Sequence, residues 1–337
     1  MPLDAHGSVV APAAAFSRRR FLRSGARSAA ALSLLGMAAA RPTMRVRRDK
    51  ATGQYDLLEG DARILRYVHA TLEPGAVLEQ VAQGNVKYAR PRSNYIHPLF
   101  GPAGEELTKD WSVDHPHHRG IYWAWPEVDW RGERGDLHAL QRVFARPTGG
   151  VEIQETAAFA QLRAENLWRW EDQQPIVREW AALRAWRAGP AGRVIDLTFR
   201  FEALEGDVAV ARRDTDKYGG LNIRCSRVED QRIAFHTDPP RAEPRMAWGR
   251  MSGRFGGAAH PAGLTVFQHA DNPGYPGDWV QYPELDWLQP TFPAAGTRHV
   301  ITPNHPLTLR FRLWIQAGAA LPETELRAQW RAFHLSI

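Results

Sequence analysis

Two segments of this chain alternate between apolar and polar residues. In residues 194–201, Ile195, Leu197 and Phe199 share one parity, and residues 307–315 carry apolar side chains at the odd positions. Because successive side chains of a β-strand point to opposite faces, each segment is predicted to be a strand with one buried and one solvated face. Antiparallel sheets produce this pattern, whereas parallel strands covered on both faces are apolar throughout.

Similar short runs recur along most of the chain, separated by clusters of Gly and Pro. One helix is predicted, from about residue 322 to about residue 334, because Leu326, Trp330 and Phe333 fall on one helical face. Many short strands with a single terminal helix predict an all-β fold, a large antiparallel β-sandwich. The remaining strands are predicted at 55–69, 121–125, 151–159, 176–187, 221–227, 232–236 and 264–269. Residues 158–170 fit either a helix or a strand, and their flanks favour a strand. Turns are predicted at 147–150, 189–192, 256–257 and 272–274.

The N-terminus has the pattern of a twin-arginine export signal. Residues 17–23, SRRRFLR, precede a mildly apolar, Ala-rich stretch that ends in three alanines at 38–40. We therefore predict that residues 1–40 are a signal and that residues 41–337 form a single domain in the periplasm or outside the cell. No later segment reaches the ~20 apolar residues of a membrane-spanning helix.

The net charge and the cysteine content narrow the possible classes of protein. The formal net charge is +6, and five arginines against one aspartate in residues 1–40 account for four of those charges. The remaining excess of about two charges, without a dense basic stripe, argues against nucleic-acid binding. Cys225 is the only cysteine, so a disulfide within the chain is excluded.

Residues 114–120, DHPHHRG, are the strongest candidate for a functional site. Neutral histidines are good metal ligands, and a histidine tuned by a carboxylate such as Asp114 suits proton transfer. A hydrogen-bonded cluster without chemistry is the third alternative. If the segment is extended, His115 and His117 face one side and His118 the other. A metal would then have to recruit a distant ligand such as His97 or His269.

Two further groups of residues are typical of sugar sites. Asn222 and Arg224 follow a double glycine and share one strand face, where an amide and a guanidinium can bind hydroxyls or a carboxylate. The alternative is that this face is a solvated outer face without a ligand. Residues 269–287 contain both acids and aromatic side chains of the kind that stack on sugar rings. Glu284 and Asp286 are the candidate proton-transfer groups in this segment. No phosphate-binding loop or nucleophile elbow is found.

Five motifs of the sequence occur together in one known family: residues 94–99, 114–120, 219–224, 271–273 and 309–313. On these motifs the chain resembles a bacterial family that is labelled "methane oxygenase PmoA-like" and is a domain of unknown function. The layout is also similar to the galactose-mutarotase-like supersandwich group, which holds sugar epimerases, polysaccharide lyases and parts of glycosidases. That second resemblance implies a site of His with Glu or Asp in an open cleft.

The combined hypothesis is an exported, carbohydrate-active hydrolase, lyase or epimerase that works by His and carboxylate acid–base chemistry on a small sugar or an oligosaccharide. The alternatives are a metal-dependent enzyme, with a divalent cation bound by the histidines, and a non-catalytic glycan-binding module. The predicted catalytic residues are His117, His118, Asp114 and Glu284, and the predicted substrate-binding residues are His97, Arg119, Asn222, Arg224, His269 and Trp279.

Overall fold

A computed structural model describes residues 43–236, 246–318 and 320–335 of the chain. These residues belong to one compact unit, Pro42–Ile337. The predicted export signal lies outside the described residues. Within them, no helix is long and apolar enough to cross a membrane.

The described residues form twenty strands, four short 3₁₀ helices and one α-helix, numbered here in chain order. The strands are β1 (Met44–Arg48), β2 (Tyr55–Glu59), β3 (Ala62–Val68), β4 (Tyr95–Leu99), β5 (Ile121–Ala124), β6 (Glu127–Trp130), β7 (Glu133–Gly135), β8 (Val143–Glu155), β9 (Phe159–Trp170), β10 (Gln174–Trp186), β11 (Arg193–Ala203), β12 (Val208–Ala211), β13 (Gly220–Arg224), β14 (Val228–His236), β15 (Trp248–Phe255), β16 (Ala262–Gln268), β17 (Trp279–Tyr282), β18 (Trp287–Pro290), β19 (His299–Ile301) and β20 (Leu307–Ala317). The helices are α1 (Glu323–Leu335) and the 3₁₀ helices Gly75–Gln80, Gln83–Tyr88, Arg213–Thr215 and Pro283–Leu285.

The strands form three sheets, and the neighbouring strands within each sheet pair antiparallel. The front sheet has the order β1-β2-β3-β4-β5-β13-β18-β17, and the back sheet has the order β14-β15-β16-β20-β11-β10-β9-β8. A small sheet, β19-β12-β6-β7, completes the set. The predicted all-β fold with large antiparallel sheets and one C-terminal helix is confirmed.

The front and back sheets enclose a shared apolar core. Trp123 of β5 packs edge-on against Phe199 and Phe201 of β11, with ring centroids 5.0 and 5.2 Å apart. The two alternating segments are the neighbouring central strands β11 and β20, and their apolar parity faces this core. Full burial of a large apolar side chain stabilises a fold by about 1.5–3 kcal/mol. Burial of the apolar faces of β11 and β20 therefore strongly favours the packing of the two sheets against each other.

The predicted turn at residues 147–150 is wrong. These residues lie inside the long strand β8, where the pairing with β9 skips from Pro147 to Val151. Gly149 adopts a φ of 88°, which a β-bulge accommodates without ending the strand. The predicted helix is confirmed as α1, and Phe333 is buried beside Trp248 and Trp314.

The outer face of the front sheet supports the candidate site. Leu221, Ile223 and Cys225 point into the core, so Asn222 and Arg224, which alternate with them, point to the opposite face. Tyr122 of β5 pairs with Asn222, and Trp287 of β18 pairs with Arg224. Loops from residues 110–119, 136–141 and 212–219 carry the other residues that surround this face.

Candidate metal centre

The DHPHHRG segment is bent rather than extended. The backbone N–H of His118 donates to the carbonyl oxygen of His115 at 2.9 Å, which closes a turn around Pro116. The prediction that His118 points away from His117 is therefore wrong, because strand parity does not apply to a turn. The two rings meet edge to face, with centroids 4.7 Å apart.

A third histidine completes the cluster. His138, from the loop between β7 and β8, brings its ring centroid to 4.5 Å from that of His117 and 5.4 Å from that of His118. One nitrogen atom of each ring lies within 4.8 Å of the other two. We call His117, His118 and His138 the histidine cluster. His115 stacks on its outer side, with its centroid 4.8 Å from that of His118.

His138 is the residue that sequence reasoning missed. It is a lone histidine, twenty residues beyond His118 and outside any metal-binding spacing, so no pattern in the sequence points to it. Its backbone is held from both sides. Arg92 donates to the carbonyl oxygens of Leu137 and His138, and the Asp136 carboxylate accepts from the N–H of Ala139 at 2.7 Å.

The ring of His138 is oriented by Tyr122. The tyrosine hydroxyl and His138 Nδ1 share a hydrogen bond of 3.0 Å, and the two rings are parallel within 1°. Because Nδ1 is engaged, Nε2 is the nitrogen left to act as a ligand. Histidines that bind a metal through one ring nitrogen commonly hold the other ring nitrogen in a hydrogen bond of this kind.

All three imidazoles of the cluster are neutral at physiological pH. Burial, reinforced by the charge of Arg92, lowers the pKa of His117 to about 3. Burial and the neighbouring His117 lower the pKa values of His118 and His138 well below the ordinary range. A neutral imidazole offers a lone pair to a metal. A side chain whose pKa lies so far below neutrality is a weak general base, so these values favour ligation over proton transfer.

Aromatic rings surround the cluster. The Trp287 centroid lies 4.8 Å from that of His118, and Tyr282 stacks on Trp287 at 4.8 Å. Tyr218 lies 5.3 Å from His138, and Tyr88 lies 5.3 Å from His117. The three tyrosines are partly exposed, so they form a rim that solvent reaches.

Arg224 and Asp114 connect the cluster to the sheet. Arg224 Nη2 lies 3.3 Å from Asp114 Oδ2, and Nη1 lies 3.4 Å from His118 Nδ1. Within the described part of the chain, Arg224 Nε has no hydrogen-bond partner. The same holds for both amide atoms of the fully buried Asn222 and for Nδ1 of His117. Buried polar atoms without partners are costly and point to a bound ligand or water.

Four of the predicted substrate-binding residues are engaged in structural contacts, which corrects those predictions. His97 bonds to Thr108 at 3.1 Å. Arg119 is wholly buried, pairs with Asp110 and Tyr95, and stacks on Trp111 at 3.4 Å. The other two lie away from the cluster: His269 stacks on His334, and Trp279 turns inward, where its indole N–H donates to the Met246 carbonyl at 2.7 Å.

The three carboxylates that the sequence analysis singled out have different surroundings in the structure. Asp114 lies beside the cluster, 3.1 Å from His115 Nδ1. Glu284 is exposed in a 3₁₀ turn, and in residues 43–236, 246–318 and 320–335 no hydrogen bond or ion pair reaches its carboxylate. Asp286 accepts from the N–H of Val228 and from Gln231, so it ties the turn to β14.

A surface groove of about 730 Å³ lies elsewhere on the molecule. It runs between the 189–192 turn, the end of β20 and α1. None of the cluster residues lines it, and its lining is mainly backbone and apolar side chains. The histidine cluster is the candidate functional site, because that is where possible ligand atoms and unpartnered polar groups converge.

The fold and the site together define an all-β sandwich protein with a buried histidine cluster on the outer face of one sheet. The chain belongs to DUF6807, a family of unknown function whose model matches residues 54–331. The predicted membership of a family of unknown function is thereby confirmed, while the PmoA-like label and the mutarotase-like relationship stay predictions.

No curated protein matches the sequence. One solved structure, described as "Putative kojibiose phosphorylase from human microbiome", is similar with 6% identity and a TM-score of 0.30. The match covers 63% of this chain and 25% of that one, so it spans about a quarter of the other chain's length.

Proposed function

We propose that this chain is a metal-dependent enzyme acting on a sugar, with His117, His118 and His138 as ligands of a divalent metal. The observation that carries the proposal is the convergence of three imidazole nitrogens within 4.8 Å of one another. Imidazole suits zinc, copper, iron and nickel, and catalytic sites with three protein ligands keep one position for water or substrate.

The spacing and the surroundings both fit a metal. The nitrogens of a tetrahedral zinc site stand roughly 3.4 Å apart, so modest side-chain rotations close the present spacing. Tyr122 already orients His138, and the buried Nδ1 of His117 has no partner among the described residues. A bound metal would supply a Lewis acid or activate a water molecule.

Proton transfer is assigned to the pair beside the cluster. Asp114 Oδ2 lies 3.1 Å from His115 Nδ1, and the two side chains are 44% and 39% exposed. A solvated His–carboxylate pair exchanges protons with water, which the buried rings of His117 and His118 do not do readily. The predicted role of Asp114 is kept, and His115 replaces the buried histidines as its partner.

The rim supports a sugar as the substrate. Tyr218 and Tyr282 are partly exposed and pack on the buried Trp287 next to the cluster, and exposed aromatic faces stack on the apolar side of a pyranose. We also propose that the protein acts outside the cytoplasm, on the evidence of the twin-arginine pattern in residues 17–23.

Elemental analysis of protein purified without a histidine tag tests the proposal. After loading, we expect about one zinc, copper, iron or nickel ion per chain, in line with a three-histidine site. Turnover on a panel of sugars and oligosaccharides should stop after chelation and return when the metal is restored. Metal content far below one ion per chain for all four metals would overturn the metal centre, and chelator-resistant turnover would overturn its catalytic role.

Replacing Tyr122 with phenylalanine tests the orientation of His138. The change removes one hydroxyl, and loss of such a supporting hydrogen bond typically lowers metal affinity by about tenfold or more. Competition with a chromophoric chelator measures this loss. Tyr282→Phe is the matched control, because Tyr282 stacks on Trp287 at the rim, and it should bind metal as the unmodified protein does. Equal affinities for all three proteins would show that Tyr122 does not support the ligand.

A further inference from the structure

We infer that the substrate of this site is an acidic sugar whose carboxylate pairs with Arg224. The inference rests on the proposed metal-dependent function and names its substrate class. Three observations support it: the charge around the cluster, the incomplete pairing of Arg224, and the position of Arg224 beside the aromatic rim.

The surroundings of the cluster carry excess positive charge. The guanidinium groups of Arg92, Arg213 and Arg224 act on its histidines, and Arg213 and Arg224 pair with the carboxylates of Asp136 and Asp114. These five groups together carry one excess positive charge. A divalent metal on three neutral imidazoles raises that excess to three, because these ligands bring no negative charge. Uncompensated buried charge is costly, so the site favours an anionic substrate.

Two of the three arginines are already committed. Arg213 pairs with Asp136 at 2.8 Å. Arg92 donates to the carbonyl oxygens of Leu137 and His138. Arg224 is therefore the cation with a hydrogen-bond donor left for a substrate.

The pairing of Arg224 is incomplete. Its side chain is only 5% exposed, yet its distance of 3.3 Å to the carboxylate of Asp114 exceeds the 2.7–2.9 Å that is typical of a charge-assisted bond. Its Nε has no partner within the described residues. Asp114 is 44% exposed, so water can solvate its carboxylate when a substrate carboxylate replaces it on Arg224. Asp114 would then stay bonded to His115 as the proton-transfer pair.

The rest of the substrate is defined by the rim. Trp287 is buried and pairs with Arg224 across β13 and β18, and the partly exposed Tyr282 and Tyr218 pack against it. A sugar ring on the two tyrosine faces places a ring substituent near Arg224. The substrate class that satisfies both features is a sugar acid, such as a uronic acid residue.

Binding of paired glycosides to the zinc-loaded full chain tests the inference. The probes are methyl β-D-glucuronide and methyl β-D-glucoside, with the methyl galacturonide and galactoside as a second pair and glucose 6-phosphate as a different anion. By isothermal titration calorimetry, we expect an acidic sugar to bind at least about tenfold more tightly than its neutral counterpart, as a charge-assisted pair implies. Equal binding within both pairs, no binding of either acid, or tighter binding of the phosphate would overturn the inference.

Variants assign the preference to Arg224. Arg224→Gln should lose the acid preference and keep its zinc, whereas the control Arg163→Gln, in the back sheet, should keep both. Asp114→Asn, an exposed change that removes the competing carboxylate, should strengthen glucuronide binding and covers the case in which Arg224→Gln fails to fold. An unchanged preference in a folded Arg224→Gln, or weaker binding by Asp114→Asn, would contradict the assignment. If the unmodified protein binds no metal, the proposed function fails instead, and the two failures are told apart by the zinc content.

Discussion

Replacing His138 with alanine is expected to lower the affinity of the protein for zinc by about a hundredfold or more and to abolish metal-dependent turnover. The change removes one of three ligands, and loss of a mere supporting contact already costs about 10–100-fold. The Tyr122 hydroxyl also loses its buried partner, which costs about 1–3 kcal/mol of folding stability. Chelator competition measures the zinc affinity, and thermal unfolding of the metal-free protein measures the stability.

His97→Gln is the matched control for that experiment. His97 is another largely buried histidine, and sequence reasoning offered it as a metal ligand, but the structure bonds it to Thr108. We expect His97→Gln to keep about one zinc ion per chain, as a site of three other histidines requires. Full zinc content in His138→Ala, or loss of zinc in His97→Gln, would show that the metal is held by a different set of ligands.

Replacing Glu179 with glutamine is expected to stabilise the protein above pH 7 and to change its pH dependence. Glu179 of β10 is buried in the core, where Trp168 Nε1 donates to it at 2.7 Å. Burial raises the pKa of Glu179 from 4.5 to about 7. Each unit of this shift corresponds to about 1.4 kcal/mol, so ionisation in the fold costs roughly 3 kcal/mol at high pH. Glutamine has the same shape and carries no charge.

The sign of the effect follows from proton binding. Between pH 4.5 and about 7, the folded state keeps the Glu179 proton while the unfolded chain has lost it, so stability falls as pH rises and then levels off. Tyr67 and Asn166 face Glu179, and Arg92 lines the same small cavity of about 10 Å³. None of these groups is altered, so the difference between variant and unmodified protein isolates Glu179.

Denaturant unfolding at pH 5 and pH 8 measures that difference. The free energy of unfolding of Glu179→Gln, relative to the unmodified protein, should rise between these two pH values by about 2–3 kcal/mol. Glu165→Gln, on the neighbouring strand β9 and facing away from the core, should change by less than about 0.5 kcal/mol. A relative stability of Glu179→Gln that stays constant with pH would show that this carboxyl does not titrate near neutrality.

The fold was predictable because it depends on a local property. Alternation in residues 194–201 and 307–315 records which face of a strand is buried, and it predicted β11 and β20 without knowledge of their partners. The same parity placed Asn222 and Arg224 correctly on one face of β13. The turn predicted at 147–150 failed because Gly and Pro allow a bulge as readily as a turn, and only the pairing with β9 decides between them.

The sequence by itself determined the class of fold and the segment that holds the site, since alternation and the concentration of histidines in residues 114–120 can be seen locally. The tertiary structure decided which histidines lie together. A turn, closed by the hydrogen bond from His118 to His115, brought His117 and His118 to one side. The loop after β7 added His138, and Tyr122 oriented it. Contacts between segments far apart in the chain leave no periodic trace in the sequence, so only the packed sheets could show that three imidazoles meet.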